Sequence, residues 1–309
     1  MGTGICQRAQ VAGWGHEPRH ESGLLLGPLI ERIAALNQTI YNPDGMRLMR
    51  EVRFSVGPEP GGPITNSWAG WPSATGVQPY LVLRTRLEGE PDPVTGYLCN
   101  IAVIDRLIRE RTVPLVTRLV QQPQATGETL VKAIAADLQG HAPSGSRWVD
   151  WQIRITPYLS YGLTSGALNM VDVSQCFEFS AAHRLHCESL SDDENRRTFG
   201  KCNNPGGHGH NYGLEVTVTG EPDPRTGVLL PIDRLEGIVQ ARVLERLDHK
   251  HLNRDCPQFA LLNPSVENIA QVIWGLLAGQ FAGPTLKRVR VWETAKTYAE
   301  YEGPRPAKA

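Results

Sequence analysis

Leu87-Glu88-Gly89-Glu90-Pro91-Asp92-Pro93-Val94-Thr95-Gly96 is answered, 131 residues further on, by Val218-Thr219-Gly220-Glu221-Pro222-Asp223-Pro224-Arg225-Thr226-Gly227. A self-match at a fixed offset marks an internal repeat, and its surroundings repeat as well. Residues 81–87 and 213–219 are β-rich segments that enter the shared Pro/Gly turn. Beyond it, residues 101–113 and 232–247 carry apolar side chains at helical spacing, the second through Ile232, Leu235, Ile238, Val239, Val243 and Leu247. A further helix pair, 129–138 and 269–277, is followed in each case by a capping glycine, Gly140 or Gly279. Strands at 148–155 and 287–293 close the two halves. The repeated order predicts an α+β chain of two tandem units, 46–162 and 173–303, with a Gly-bearing flexible link at 163–172. Residues 1–45 read as an N-terminal extension that ends in the turn Asn42-Pro43-Asp44-Gly45, and 304–309 as a tail.

Composition excludes several classes of partner. With 31 basic and 32 acidic residues, the chain has no global field to favour nucleic acid or an acidic membrane. No run approaches the roughly 18–20 apolar residues of a membrane span, and no basic-then-apolar leader opens the sequence. Six scattered cysteines in so long a chain suit a reducing compartment, so the expectation is cytoplasmic.

The reactive side chains lie in the second half. Cys202-Asn203-Asn204-Pro205-Gly206-Gly207-His208-Gly209-His210-Asn211-Tyr212 sets a thiol, a tight turn and a His-x-His pair in one segment. Positions i and i+2 of a strand share a face, so His208 and His210 can grip one metal ion together. Alternation in 176–183 puts His183 on the face of Phe177, Phe179 and Ala181. A histidine there is more often a satisfied core residue, but this chain holds a His-x-His that lacks a third ligand. Three histidines with an open position suit catalytic zinc, whereas Cys202 as a fourth ligand would make a structural site, and spacing leaves both open. Asp248-His249 follows the amphipathic helix, either as an oriented acid–base pair or as helix-end capping. Glu293 lies on an apolar strand face with Val289 and Val291, where burial demands a donor-rich ring or an arginine. Glu267, near a helix start, is accounted for by the helix dipole and is the weaker candidate.

Residues 173–303 resemble the 6-pyruvoyl tetrahydropterin synthase family through FSAAHRL (179–185), CNNPGGHGHNY (202–212), LDHKHLN (247–253), SVEN (265–268) and VWET (291–294). The resemblance implies the tunnelling fold, here as two tandem units. Each would be an antiparallel four-stranded sheet with two helices packed on one face. It also implies that His183, His208 and His210 hold Zn²⁺, that Cys202 is the general base, and that Asp248 and His249 relay protons. Glu293 would anchor the pterin, with Glu267 a further substrate-binding residue. The implied reaction takes 7,8-dihydroneopterin triphosphate, eliminates triphosphate and shifts the side-chain redox level internally, as in tetrahydrobiopterin biosynthesis. The alternatives are a 6-carboxytetrahydropterin synthase of the deazapurine (queuosine) route and a non-catalytic pterin-binding protein. Five residues between Cys202 and His208 fit the pyruvoyl branch, while Val266 departs from its usual second Thr.

The first half keeps none of the ligands. Pro58 stands opposite His183, Trp71 opposite Cys202, Val77 opposite His208 and Pro79 opposite His210, with Ile153 near the place of Glu293 and Glu128 opposite Glu267. It reads as a degenerate copy retained for assembly. Three units close one ring in the family, so the expected assembly is a homotrimer of tandem units in which each chain gives one half to each of two stacked rings.

Overall fold

The computed structural model describes residues 45–57 and 68–304, so the extension and tail lie, but for Gly45 and Pro304, outside the described residues. Contacts divide the chain into a small unit, of which the turn Pro91–Tyr97 is described, and a body comprising Met46–Glu90 and Leu98 onward. The small unit's turn is organised by Asp92, whose carboxylate accepts the backbone N–H groups of Val94 (3.0 Å) and Thr95 (2.7 Å). Asp223 does the same for Arg225 (2.7 Å) and Thr226 (3.2 Å) in the body. The repeated Asp-Pro-x-Thr-Gly sequence therefore codes one Asx-type turn used twice.

In the body the chain runs β1 (Met46–Ser55), β2 (Tyr80–Gly89), α1 (Ile101–Leu107), α2 (Val113–Val120), α3 (Gly127–Leu138), β3 (Ser146–Thr156) and β4 (Leu159–Thr164). It continues through β5 (Val171–His183), α4 (Asp192–Phe199), β6 (His208–Gly220), α5 (Ile232–Val239), α6 (Glu245–Leu247), β7 (Lys250–His251) and α7 (Leu252–Asp255). The last elements are α8 (Val266–Leu277), β8 (Thr285–Thr294) and β9 (Thr297–Tyr301). Each long amphipathic helix is interrupted at the same place by a π turn, Ile108–Thr112 between α1 and α2 and Gln240–Leu244 between α5 and α6. The first helix thus reaches seven residues past the 113 expected from the sequence, with Pro114 carried in helical backbone directly after the π turn. Helices α3 and α8 are capped alike, by the side chains of Thr126 and Ser265.

All the strands join one nine-stranded sheet in the order β1-β2-β3-β4-β5-β6-β8-β9, antiparallel throughout, with β7 added parallel to β5. The α+β class with an antiparallel sheet is as expected, but a separate four-stranded sheet for each half is not what forms. The reason is β4. Gly162, Leu163 and Thr164, expected in or beside a flexible link, are strand residues that pair with β5 from Leu159↔Gln175 to Leu163↔Val171. Tyr161 and Leu163 alternate into the core and are buried there, which outweighs the freedom Gly162 offers. The core runs continuously through both halves between the helices and the sheet, from Phe54, Leu83 and Ile153 to Leu214, Ile273 and Val291. The register also corrects one correspondence. β3 pairs Arg154 with Val82 and β8 pairs Trp292 with Gly213, which is 131 residues after Val82, so the repeat partner of Glu293 is Ile155 rather than Ile153.

Candidate active site

Antiparallel pairing of β5 with β6 sets His183 opposite His208 and Ala181 opposite His210. The three imidazoles meet at one end of the strand pair, with centroids 4.6 Å apart for His183–His208 and His208–His210 and 5.2 Å for His183–His210. Gly207 makes the approach feasible. Its φ is +75°, and a Cβ there would stand 2.9 Å from the His183 carbonyl oxygen and 2.8 Å from His251 Nε2.

His183 is wholly buried and donates its Nδ1–H to the Pro264 carbonyl at 2.7 Å, which leaves Nε2 as a bare lone pair in the neutral ring. That Nε2 lies 3.2 Å from His208 Nε2 and 3.5 Å from Glu293 Oε1. His210 Nε2 is 3.5 Å from the same carboxylate oxygen, and among the described residues neither it nor His208 Nδ1, both buried, has a hydrogen-bond partner. Nitrogens about 2.0–2.1 Å from a tetrahedral zinc stand roughly 3.3–3.4 Å from one another, so the spacing of the two Nε2 atoms suits joint ligation. Burial lowers the pKa of His183, and of His208 with help from His210, so the rings are held neutral as ligands must be. Two donor groups with atoms within 4.8 Å of one another can be drawn, His183–Cys202–His208 and His183–His210–Glu293. His183 is common to both. The donor set fits a borderline-soft cation.

Cys202 lies in the 3₁₀ turn Gly200–Asn203, with its carbonyl taking the Leu185 N–H at 2.8 Å and Asn203 Nδ2 donating to the Leu185 carbonyl at 2.7 Å. Burial, then the Glu293 carboxylate, pushes its thiol pKa up. Asp248 and His249 are brought together as required of an acid–base pair, with His249 Nδ1 2.9 Å from Asp248 Oδ2. The turn is clamped to β5 reciprocally: Ser180 N–H donates to Asp248 Oδ1 at 2.7 Å and His249 N–H to the Ser180 carbonyl at 2.6 Å. His249 adopts φ +55°, which a non-glycine residue avoids unless its surroundings impose it, and its ring contacts Asp248 instead of capping the helix. A cavity of about 550 Å³ is lined by His210, His249, His251 and Ser180 among others, so the pair and a ligand histidine open onto the same space.

The 6-pyruvoyl tetrahydropterin synthase family model matches residues 172–304. Over 131 residues the chain is 44% identical to the human protein named 6-pyruvoyl tetrahydrobiopterin synthase, covering 42% of this chain and 90% of that one. The Drosophila melanogaster protein of that name is 46% identical over 129 residues, 41% of this chain and 77% of that one. The chain belongs to this family. A Pyrococcus furiosus protein named dihydroneopterin monophosphate aldolase is also similar, 34% identical over 96 residues, 31% of this chain and 77% of that one.

Within this synthase-family half, Glu293 faces two histidines rather than an arginine. Glu267 is exposed in the first turn of α8 and, among the described residues, has no hydrogen-bond or ion-pair partner; no contact brings it to the histidines. Of the basic residues flanking the motif, Arg184 donates to the Asn203 carbonyl at 3.3 Å and Arg196 pairs with Asp193. Three neighbours escaped the sequence reading. Tyr212 has its hydroxyl 3.5 Å from His183 Nδ1 and stacks on Phe179 with centroids 5.0 Å apart. Its i+2 spacing from His210 was a usable signal. His251, with both ring nitrogens buried and without a hydrogen-bond partner among the described residues, shares the same motif as His249. Pro264 acts through a backbone carbonyl, which no side-chain pattern announces.

Proposed function

We propose that the chain is a zinc-dependent 6-pyruvoyl-tetrahydropterin synthase, a carbon–oxygen lyase that acts on 7,8-dihydroneopterin triphosphate. The observation that carries this reading is the convergence of three imidazoles whose most buried member has its outer nitrogen committed to Pro264. In this reading His183, His208 and His210 hold the zinc, which would lend Lewis acidity to side-chain hydroxyls and acidify the neighbouring C–H. Cys202, beside His183 and His208, takes the proton from that carbon as triphosphate leaves. His249, oriented by Asp248, returns a proton to the rearranging side chain. Glu293 accepts hydrogen bonds from the pterin ring. Glu267 as a second substrate contact draws no support from its position.

The identical order of β1–β4 and of β5, β6, β8, β9 supports the division into a degenerate 46–162 unit and a catalytic 173–303 unit. Self-association belongs to the same reading, but with both halves in one sheet a chain cannot give one half to each of two rings, so the trimer built on that separation needs another geometry. Free thiols at Cys99, Cys176, Cys187, Cys202 and Cys256 agree with a cytoplasmic location, and no described helix is long and apolar enough to cross a membrane.

The deciding experiment incubates zinc-loaded protein with dihydroneopterin triphosphate and identifies the products. Released triphosphate with the three-carbon side chain retained supports the proposal. Acetaldehyde with a carboxypterin assigns the chain to the carboxy branch, and unchanged substrate in the presence of bound zinc supports a binding protein.

A further inference from the structure

Strand register carries one row of polar side chains across the middle of the sheet. Arg154 on β3 stands opposite Ser160 on β4, and Ser160 opposite Ser174 on β5. Ser174 stands opposite Thr217 on β6, and Thr217 opposite Arg288 on β8. Directly opposed residues share a face of the sheet. On β5 and β6 it is the face turned away from the histidines, because Ser174 and Thr217 are each an odd number of positions from His183 and His210. The row is therefore separate from the metal centre, and it forms only where β4 of the first half meets β5 of the second. Its three short hydroxyl side chains are the floor of a trench with an arginine at either end, inside a cavity of about 430 Å³. Ser160 is 8% exposed, Ser174 5% and Thr217 2%.

The trench holds more donors than acceptors. Ser174 Oγ and Thr217 Oγ1 are 2.8 Å apart, so whichever hydroxyl donates, the other O–H has no acceptor among the described residues. Ser160 Oγ accepts from Gln152 Nε2 at 3.2 Å, and its own O–H likewise lacks an acceptor there. Arg154 makes no hydrogen bond and no ion pair among the described residues. Arg288 donates from Nη2 to Glu215 at 3.1 Å, while its buried Nε has no hydrogen-bond partner and lies 3.9 Å from Glu300. Six basic side chains and four carboxylates line the cavity, and three of those carboxylates are already paired: Asp150 with Arg86, Asp172 with Lys287, and Glu215 with Arg288 and Arg290. Cys176, on the same face two residues from Ser174, registers Arg154 nearby. Burial, then Glu215, pushes its thiol pKa up, and Arg154, then Arg290, pulls against them. Buried donors left without acceptors cost free energy that a ligand made only of acceptors recovers.

We infer that this trench binds a chain of linked phosphates, held by Arg154 of the first half and Arg288 of the second over the hydroxyls of Ser160, Ser174 and Thr217. Guanidinium groups take phosphate oxygens in paired, charge-assisted hydrogen bonds, and those oxygens accept the left-over O–H groups of the floor. Four strand steps of about 4.8 Å set the two arginine backbones about 19 Å apart. A single phosphate does not reach both ends of that row, whereas an extended polyphosphate does once the two long side chains lean inward. Such a ligand would clamp β3 to β8 across the junction of the halves. Nothing in this site depends on the reaction proposed above.

The test titrates inorganic tripolyphosphate into the full chain by calorimetry. Arg154→Gln, whose side chain holds no partner in the fold, is expected to weaken binding about tenfold or more, the usual worth of a charged hydrogen bond. Arg225→Gln, which removes an equal charge from an exposed turn, should bind as the native chain does. His208→Ala should also bind undiminished, which separates the trench from the metal centre. A second measurement locates the anion on the native chain. Tripolyphosphate should slow alkylation of Cys176, followed by peptide mass spectrometry, and leave the rate at Cys202 unchanged. Absence of binding, equal affinity in Arg154→Gln, or protection of Cys202 in place of Cys176 would overturn the inference.

Discussion

His183 shows how much one tautomer controls. Its Nδ1–H is spent on Pro264, so Nε2 can only accept, and every neighbour of that lone pair is itself an acceptor or a ring nitrogen. His208→Ala should therefore strip bound zinc and abolish turnover together, measured by metal analysis alongside product formation. Cys202→Ala should separate the two. If the thiol is a base, the metal stays and kcat falls by about 10²–10⁴-fold, the usual worth of a general base; loss of zinc in that variant would make Cys202 a fourth ligand instead. Asp248→Asn keeps the N–H acceptor for Ser180 while removing the charge that orients His249, so kcat should fall on the order of 10–100-fold with KM little changed.

At the scale of elements, the β5–β6 pair places the histidines and α8 places the carbonyl behind them. Ser265 caps α8, accepting the Asn268 N–H at 3.4 Å, and Ser265→Ala should cost about 1 kcal/mol in denaturant unfolding. The first half has its own electrostatic clamp. Glu51 on β1 accepts from Arg53 and Arg84, each at 2.7 Å. Burial raises its pKa, but the two guanidiniums outweigh burial and hold the carboxyl below its usual range. A lowered folded pKa contributes stability that is fully present above the unfolded value of about 4.3 and is lost as pH falls through the folded one. Melting temperatures measured from pH 7 to pH 3 should consequently fall more steeply for the native chain than for Glu51→Gln.

At the scale of the whole molecule, the link between halves is a strand, and that changes what the first half does for the second. It covers the β5 edge. A chain reduced to residues 171–304 would expose Val171 and Val173, now 0% exposed, along an unpaired strand. Such a fragment should show a larger, less uniform light-scattering mass than the full chain at equal concentration, and a fragment that stays monomeric and monodisperse would contradict this role for β4.

Much of this was legible before any coordinates. The repeat, the strand alternation that gathers His183, His208 and His210 on one face, and the adjacency of Asp248 and His249 are all written in local spacing, because strand and turn geometry carry a short period. The sequence by itself also determined which half carries the candidate ligands, since the aligned positions of the other hold Pro58, Trp71, Val77 and Pro79 instead. Only the tertiary structure decided that β4 joins the halves in one sheet, that Pro264 reaches His183 across 81 positions, and that Glu293 answers two histidines and not an arginine. Those outcomes depend on which distant surfaces bury each other best. A strand edge or a backbone carbonyl has no side-chain signature, so its partner is chosen by the packing of the whole chain and cannot be read from any segment of it.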